Sequence, residues 1–238
     1  YLWKFASKKI DKVFCPTEET IEILKLEKIF DSKKIFFLED PIIQISKINK
    51  KKNDVLDKEY SKKKYILAIG RLSKQKNFSL LLKFFKDISY NDRNLHLLIA
   101  GEGELRLSIE NLIYKESLQE KVKLLGFKDN IFTYLKNCHC FISTSLWEDP
   151  GFVLVEAAAT NITIISSDCS SGPKEILSNG RGGFLFQNNN LESLKKVYKE
   201  FILLDKKSIF LKKINFKKKS KNYTFFNHYK KLNDYLSS

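Results

Sequence analysis

The strongest constraint on the fold is a regular alternation of short apolar runs and amphipathic stretches between residues 64 and 204. The run 65–69 is apolar throughout and ends at Gly70, as in a parallel strand buried on both faces. The following stretch has apolar residues at helical spacing from 78 to 88, with Asn77 as the expected helix cap. This alternation predicts an α/β fold with a doubly wound, Rossmann-like parallel sheet and right-handed crossovers.

The same pattern continues to the end of this region. Strands are predicted over 95–100, 122–125, 138–143, 162–166 and 184–186, and helices over 104–115, 131–135, 151–160, from 172 onward and over 191–204. Ligands of doubly wound sheets bind at the carboxyl ends of the strands, so the loops that follow the strands are the expected site.

The flanking segments have a different character. A strand over 13–15, a helix over 17–30 and a strand over 35–38 are typical of the last βαβ unit of a preceding domain. The predicted division is a remnant of that domain over 1–45, a polar, lysine-rich interdomain linker over 46–63, the ligand-binding domain over 64–204, and a loose basic tail with a terminal helix over 205–238. Because the chain contains no methionine, Tyr1 is not expected to be the biological start.

The net charge of +15 suggests nucleic acid, an anionic membrane or a phosphorylated ligand as a partner. Nearly all of the positive charge comes from lysine in a chain rich in Lys, Asn and Ile, which indicates compositional bias. Aromatic and basic residues do not interleave as in RNA-binding motifs, so nucleic acid is not expected. Lysine runs at 62–64 and 217–219 leave peripheral contact with an anionic membrane open.

The four cysteines are expected to be core residues in a reducing cytoplasm. Cys138 and Cys140 lie in an apolar run, and their spacing, without a second ligand pair, does not fit a zinc site. The sequence therefore predicts no metal site.

The loop from Gly70 to Asn77 places Arg71 and Lys76 between the end of a strand and the start of a helix. A phosphate in that position would meet a guanidinium, an ammonium and helix amides. Arg71 is the more informative residue, because arginine is rare in this chain. A solvent-facing arginine is the alternative.

The segment from Glu148 to Glu156 runs from a loop into a helix whose first amides can receive a diphosphate. Carboxylates on either side can accept hydrogen bonds from sugar hydroxyls. The alternatives are a helix-dipole role for Glu148 and a solvated face for Glu156. Glu156, however, lies among apolar neighbours, where an unpartnered charge is costly.

Two further loops follow neighbouring strands. Gly101 and Gly103 lack the third glycine of the dinucleotide-binding motif. Both a tight strand-to-helix turn and a ligand role fit these glycines. The turn from Gly126 to Asn130 lies at the next strand end.

The order of these four motifs resembles that of retaining glycosyltransferases of family 4, which have the GT-B fold. The resemblance covers about residues 11–204, the first stretch being similar to the end of the family's N-terminal domain and the rest to its donor-binding domain. The segment 168–175 is similar to members that build capsules, O-antigens and other surface glycans.

For the phosphates of a nucleotide-sugar donor, the resemblance implies binding by Arg71 and Lys76 together with the amides of Phe152 and Val153. Because cations and helix amides face the departing diphosphate, no metal or other cofactor is expected.

For the rest of the donor, the resemblance implies that Glu148 faces the sugar at the reacting centre and that Gly151 contacts a sugar hydroxyl. The resemblance also implies that Glu156 binds the ribose and that the turn containing Lys128 lies against the base. The family's usual Glu-Gly-Phe-Gly is Glu148-Asp149-Pro150-Gly151 here, and proline has no N–H to donate to the sugar.

The implied activity is transfer of a hexose-type sugar from a nucleoside-diphosphate-sugar to a glycan or lipid-linked acceptor, with retention, in surface polysaccharide synthesis. The expected location is cytoplasmic, at or near the inner face of the membrane. Because the family's acceptor pocket lies on the N-terminal domain, we expect this chain to bind donor but transfer little sugar. A sugar-nucleotide epimerase on the same scaffold and a non-catalytic binder of nucleic acid or membranes are the alternatives; the last predicts steeply salt-dependent binding.

Overall fold

The computed structural model describes residues 2–237; Tyr1 and Ser238, at the outer ends of two predicted segments, lie outside the described residues. The strands are β1 Val13–Cys15, β2 Ile35–Phe37, β3 Lys64–Ile69, β4 Leu95–Ala100, β5 Val122–Gly126, β6 Cys140–Ser143, β7 Ile164–Asp168 and β8 Phe184–Gln187. The helices are α1 Leu2–Ala6, α2 Glu18–Glu27, α3 Ile45–Lys51, α4 Phe78–Asn91, α5 Arg106–Lys115, α6 Phe132–Asn137, α7 Phe152–Ala159, α8 Pro173–Ile176, α9 Leu191–Leu203, α10 Lys206–Ser220 and α11 Phe225–Leu236.

The larger sheet has six parallel strands in the order β5-β4-β3-β6-β7-β8. The chain builds outward from β3 to β5, then returns to the centre at β6 and builds outward to β8. The strand order therefore reverses between β3 and β6, and the carboxyl ends of these two strands flank a crevice. The predicted doubly wound parallel sheet is confirmed.

The two faces of this sheet are covered by different helices. Ile66 packs into the core beneath α4, α5 and α9, whereas its neighbour Leu67 packs beneath α6, α7 and α8. Successive side chains of a strand point to opposite faces, so a strand covered on both faces is apolar without alternation. This explains the continuous apolar run that predicted β3.

The smaller sheet consists of β1 and β2, which are parallel and connected through α2. Cys15, Ile21 and Ile35 form its core. The predicted βαβ unit near the start of the chain is confirmed.

The segment 46–63, predicted as a linker, is not a free spacer. Helix α3 occupies its first part, and Ile48, Leu56 and Tyr60 are buried against the face of the large sheet that carries α6 and α7. These three residues are spaced widely among lysines and pack the segment against the sheet. A prediction based on average composition does not detect them.

The tail from residue 205 is helical, so the prediction of a loose tail is wrong. The side chain of Asp205 caps α10 by accepting from the amide of Ser208 at 3.0 Å, and Phe216 anchors the helix in the core. Helix α11 then crosses to the small sheet, where the Tyr235 hydroxyl donates to the carbonyl of Phe37 at 3.0 Å.

Asn77 precedes α4 but does not cap it through its side chain. Its backbone is left-handed (φ 48°, ψ 45°), and its side-chain amide donates to Oδ1 of Asn189 at 3.0 Å. Within residues 2–237, no helix is both long enough and apolar enough to cross a bilayer.

Candidate functional site

The loops that follow β3 and β6 meet at the point where the strand order reverses. The amide of Leu146 donates to the carbonyl of Gln75 at 2.8 Å, and the hydroxyl of Thr144 donates to the carbonyl of Lys76 at 2.9 Å. The side-chain amide of Gln75 donates to the carbonyl of Trp147 at 2.9 Å. These bonds hold the two loops together, so that they form one continuous wall of the crevice.

Lys76 and Glu148 form an ion pair within this wall. The ammonium lies 2.6 and 2.9 Å from the two carboxylate oxygens, and the side chains are only 15% and 5% exposed. The hydroxyl of Ser145 donates to Oε1 of Glu148 at 2.6 Å. Ser145 was missed in the sequence; the polar run Ser143-Thr144-Ser145 at the end of a strand was the available signal.

The segment around residues 170–172 supports the Glu148 loop from behind. The amide of Glu148 donates to the carbonyl of Ser170 at 2.7 Å, and the amide of Ser171 donates back to the carbonyl of Glu148 at 3.1 Å. A Cβ on Gly172 would lie 2.0 Å from the carbonyl oxygen of Pro150. Only glycine permits this approach, so the segment resembling surface-glycan enzymes has a structural role.

Helix α7 begins directly beyond this loop. Gly151 has a left-handed backbone, φ 95°, that turns the chain into the helix. The first amides of a helix have no intrahelical acceptor and carry partial positive charge. They border a cavity of about 300 Å³. Its lining includes the predicted residues Lys76, Glu148, Gly151, Phe152 and Val153.

A larger cavity of about 870 Å³ adjoins the first and shares Phe152 with it. Its lining includes Arg71, Lys128 and Glu156, so each predicted site residue lines one of the two cavities. Arg71 is exposed, and burial raises the pKa of the half-buried Glu156. Neither side chain has a hydrogen-bond partner or ion pair among residues 2–237.

The turn after β5 is held by the segment 46–63. Asp57 accepts a short hydrogen bond from the hydroxyl of Tyr134 and lies 3.5 Å from the ammonium of Lys128, which itself sits 5.5 Å from the centre of the Tyr134 ring. The hydrogen bond from the Tyr134 hydroxyl lowers the pKa of the Asp57 carboxyl. Interaction with the same hydroxyl raises the pKa of the Lys128 ammonium. Asp57 was missed because no local pattern distinguishes it.

Gly101 and Gly103 are explained by close backbone packing. A Cβ on Gly101 would lie 2.0 Å from the carbonyl oxygen of Gly70, and one on Gly103 would lie 2.6 Å from that of Leu72. Of the two interpretations of this motif, the geometry favours the tight turn, which brings the loops after β3 and β4 together.

The four cysteines are buried and free, as predicted. Within residues 2–237, no group of three or more His, Cys, Asp or Glu side chains is placed to hold a metal ion. The site thus brings together the cations Arg71, Lys76 and Lys128, the free end of a helix, and the carboxylates Glu148 and Glu156. This arrangement is able to bind a phosphorylated, hydroxyl-bearing ligand.

The chain belongs to the family of glycosyl transferases group 1, whose pattern matches residues 49–221. A glycosyltransferase of Methanocaldococcus jannaschii is 36% identical over 180 residues, which cover 74% of this chain and 44% of that protein. The N-acetylgalactosamine-N,N'-diacetylbacillosaminyl-diphospho-undecaprenol 4-alpha-N-acetylgalactosaminyltransferase of Campylobacter jejuni is 34% identical over 145 residues, 61% of this chain and 39% of that protein. The chain therefore spans less than half the length of these curated relatives.

Solved structures agree on the fold. A glycosyltransferase from Rickettsia africae superposes with a TM-score of 0.83 at 20% identity, over 98% of this chain and 65% of that one. HepE of Anabaena, solved with UDP and glucose, superposes with a TM-score of 0.80 at 17% identity, over 99% of this chain and 65% of that one. The predicted GT-B fold is confirmed.

Proposed function

We propose that this chain carries the donor-binding site of a retaining family 4 glycosyltransferase that uses a nucleoside-diphosphate-sugar. The observation that carries the proposal is the convergence of Arg71, Lys76 and the start of α7 on two adjoining cavities at the strand reversal. Cations and free amides at that place suit a diphosphate. Membership of the family of glycosyl transferases group 1 supports glycosyl transfer as the class of reaction.

The diphosphate is held by the Arg71 guanidinium, the Lys76 ammonium and the amides of Phe152 and Val153. Lys76 is paired with Glu148 in the structure, so a phosphate either joins this pair or draws the ammonium from it. The developing charge on the departing diphosphate is then met by groups already in place, which is the most effective form of electrostatic stabilisation. No metal or other cofactor is required in this scheme.

The sugar lies in the smaller cavity, where Glu148 faces the reacting carbon and Gly151 contacts a hydroxyl. The anomeric carbon exchanges its bond to the diphosphate for one to an acceptor oxygen, with retention, through an oxocarbenium-like transition state. The proton of the acceptor hydroxyl passes to the departing diphosphate. Pro150 offers no amide here, so we expect recognition of the hexose-type sugar to differ from that of family members with Glu-Gly-Phe-Gly.

The nucleoside lies in the larger cavity. Glu156 accepts from the ribose hydroxyls, and the turn bearing Lys128 contacts the base. The UDP bound by HepE makes a uridine diphosphate the first candidate.

The acceptor is a glycan or a lipid-linked sugar, and the reaction takes place in the cytoplasm, at or near the inner face of the membrane. The diphospho-undecaprenol in the name of the Campylobacter jejuni relative supports a lipid-linked acceptor. We assign the reaction to surface polysaccharide synthesis.

Isothermal titration with UDP, GDP and their sugar conjugates tests the donor site. Arg71→Ala and Glu156→Gln are compared with the exposed controls Arg93→Ala and Glu120→Gln. We expect one nucleotide series to bind and each site variant to lose about ten-fold or more in affinity, as for charged hydrogen bonds. Equal affinity in site and control variants, or no nucleotide binding by the folded chain, would refute the proposal.

A further inference from the structure

A second pocket lies behind α3, outside the donor site. It has a volume of about 200 Å³, and its apolar wall includes Ile45 and Ile48. Lys52, Lys217 and Lys221 line it from three different segments, and no acidic residue does. These three lysines form no hydrogen bond or ion pair through their side chains with any residue from 2 to 237. We call this cavity the lysine pocket.

The helices on either side extend the positive charge. Helix α10 carries seven lysines and α3 carries three, and neither helix contains an acidic residue. Both helices cover the same face of the large sheet. Some surface lysines elsewhere are paired with carboxylates, such as Lys86 with Glu116 and Lys195 with Asp87. Compositional bias raises the number of lysines everywhere, but the lining of the lysine pocket itself combines three of them with no acidic residue.

The pocket also adjoins the donor cavity. Ile48 lines both, and Lys47 and Lys51 of α3 line the donor cavity. Ile45, at the start of α3, is 57% exposed beside the lysine pocket. An exposed aliphatic side chain among lysines suits a surface with both anionic groups and hydrocarbon, because lysine stems lie along apolar groups while their ammonium ends reach charges.

We propose that the face formed by α3 and α10 docks on an anionic lipid bilayer, with the lysine pocket receiving the phosphate of one lipid. A bilayer fits better than RNA because the pocket wall is aliphatic and neither arginine nor an aromatic ring lines it. Docking through this face places the donor cavity beside the membrane. The inference extends the proposed action on a lipid-linked acceptor, but its test does not depend on donor binding.

The test is co-sedimentation of the chain with vesicles of phosphatidylcholine, with and without 30% phosphatidylglycerol. The triple variant Lys52→Gln, Lys217→Gln, Lys221→Gln is compared with the control Lys115→Gln, Lys196→Gln, Lys199→Gln, which removes equal charge from exposed positions of α5 and α9, on the opposite face of the large sheet. Each lysine near an anionic surface contributes roughly five-fold in affinity, so the first variant should lose about 100-fold. The control should keep most of its binding, and UDP affinity should be the same in both variants.

Several results would overturn the inference. These are no sedimentation with anionic vesicles, equal sedimentation without phosphatidylglycerol, or an equal loss in the control variant. Tighter binding of a single-stranded RNA through the same three lysines would assign the face to nucleic acid instead. Loss of UDP binding with intact vesicle binding would count against the donor site and leave this inference standing.

Discussion

The ammonium of Lys76 donates to both carboxylate oxygens of Glu148, at 2.6 and 2.9 Å, across the crevice where the strand order reverses. One residue follows β3 and the other follows β6. The bond therefore joins the two halves of the sheet at the place where a doubly wound fold binds its ligand.

Removing Lys76 leaves Glu148 nearly buried without its counter-charge. We expect Lys76→Met to lower the free energy of unfolding by about 3 kcal/mol, the typical cost of breaking a buried pair. The double variant Lys76→Met, Glu148→Gln should recover part of this loss, since no uncompensated charge remains. Urea denaturation of the two single variants and the double variant measures the coupling; strictly additive losses would contradict a buried pair.

The ionised carboxylate of Glu156 should lower the free energy of unfolding, although the residue is expected to bind the ribose. Its folded pKa is raised by burial, so the folded chain binds the proton more tightly than the unfolded chain does. The favourable contribution of Glu156 protonation to the free energy of unfolding is therefore fully present below the unfolded pKa. It is lost as pH rises through the folded pKa. We expect Glu156→Gln to be more stable than the wild type at pH 8 and to lose this advantage near pH 4.

Thermal melts across that pH range, together with nucleotide titrations, test this prediction. A more stable variant that binds nucleotide about ten-fold more weakly would indicate a residue kept for function. If Glu156→Gln is less stable at pH 8, the carboxylate has a structural partner and the prediction is wrong. Glu120→Gln, on an exposed residue, serves as the reference.

Local patterns were sufficient to predict most of the fold. Strand β4 was predicted with both of its ends, because an apolar run buried on two faces is visible in five or six residues. The clustering of the candidate site residues could be predicted because they lie in loops after strand ends or in the helix that such a loop leads into, and parallel strands bring those ends to one edge. Charged side chains that are distant in sequence could therefore be assigned to one site before any contact was known.

Contacts between distant segments were beyond such patterns. The burial of Leu56 and Tyr60 depends on a sheet face contributed by later residues, and the burial of Phe216 on the helix over 206–220 depends on residues far earlier in the chain. The pairing of Lys76 with Glu148 joins loops that are 72 residues apart. Nothing in either loop alone indicates that the cation is already occupied by a carboxylate.

Asp57 should act by positioning the turn that bears Lys128. Its side chain is 53% exposed, so Asp57→Asn should change stability by less than about 1 kcal/mol. We expect affinity for a nucleoside diphosphate to fall several-fold while affinity for pyrophosphate is unchanged, because only the base contacts this turn. An equal decrease for both ligands would assign Asp57 a purely structural role. Asp234→Asn, on an exposed residue of α11, is the control.

Helix α11 should be anchored to the small sheet by Glu39. This carboxylate is 1% exposed and is paired with Lys231 of α11. We expect Lys231→Met to lower the free energy of unfolding by about 2 kcal/mol, because Glu39 is left buried with only the Asn222 amide as a side-chain donor. Lys230→Met changes the exposed neighbour and should be neutral. Similar melting curves for the two variants would show that the pair does not hold the helix.

Gly172 should be irreplaceable for steric reasons. In Gly172→Ala the new Cβ meets the carbonyl oxygen of Pro150 and displaces the loop bearing Glu148. Gly180→Ala has the same kind of positive φ, but its nearest neighbour is 4.0 Å away. We expect both variants to lose stability from backbone strain, Gly172→Ala more so because of the added clash, and only Gly172→Ala to lose nucleotide binding. Equal nucleotide affinity in the two would contradict a role for this contact.

The most direct test of the donor site is a crystal structure of the chain with UDP. The account predicts the diphosphate between the loop after β3 and the start of α7, with the Lys76 ammonium and the Arg71 guanidinium within hydrogen-bond distance of phosphate oxygens. The ribose should lie at Glu156. A nucleotide bound elsewhere, with Lys76 paired to Glu148 alone and both cavities empty, would contradict it.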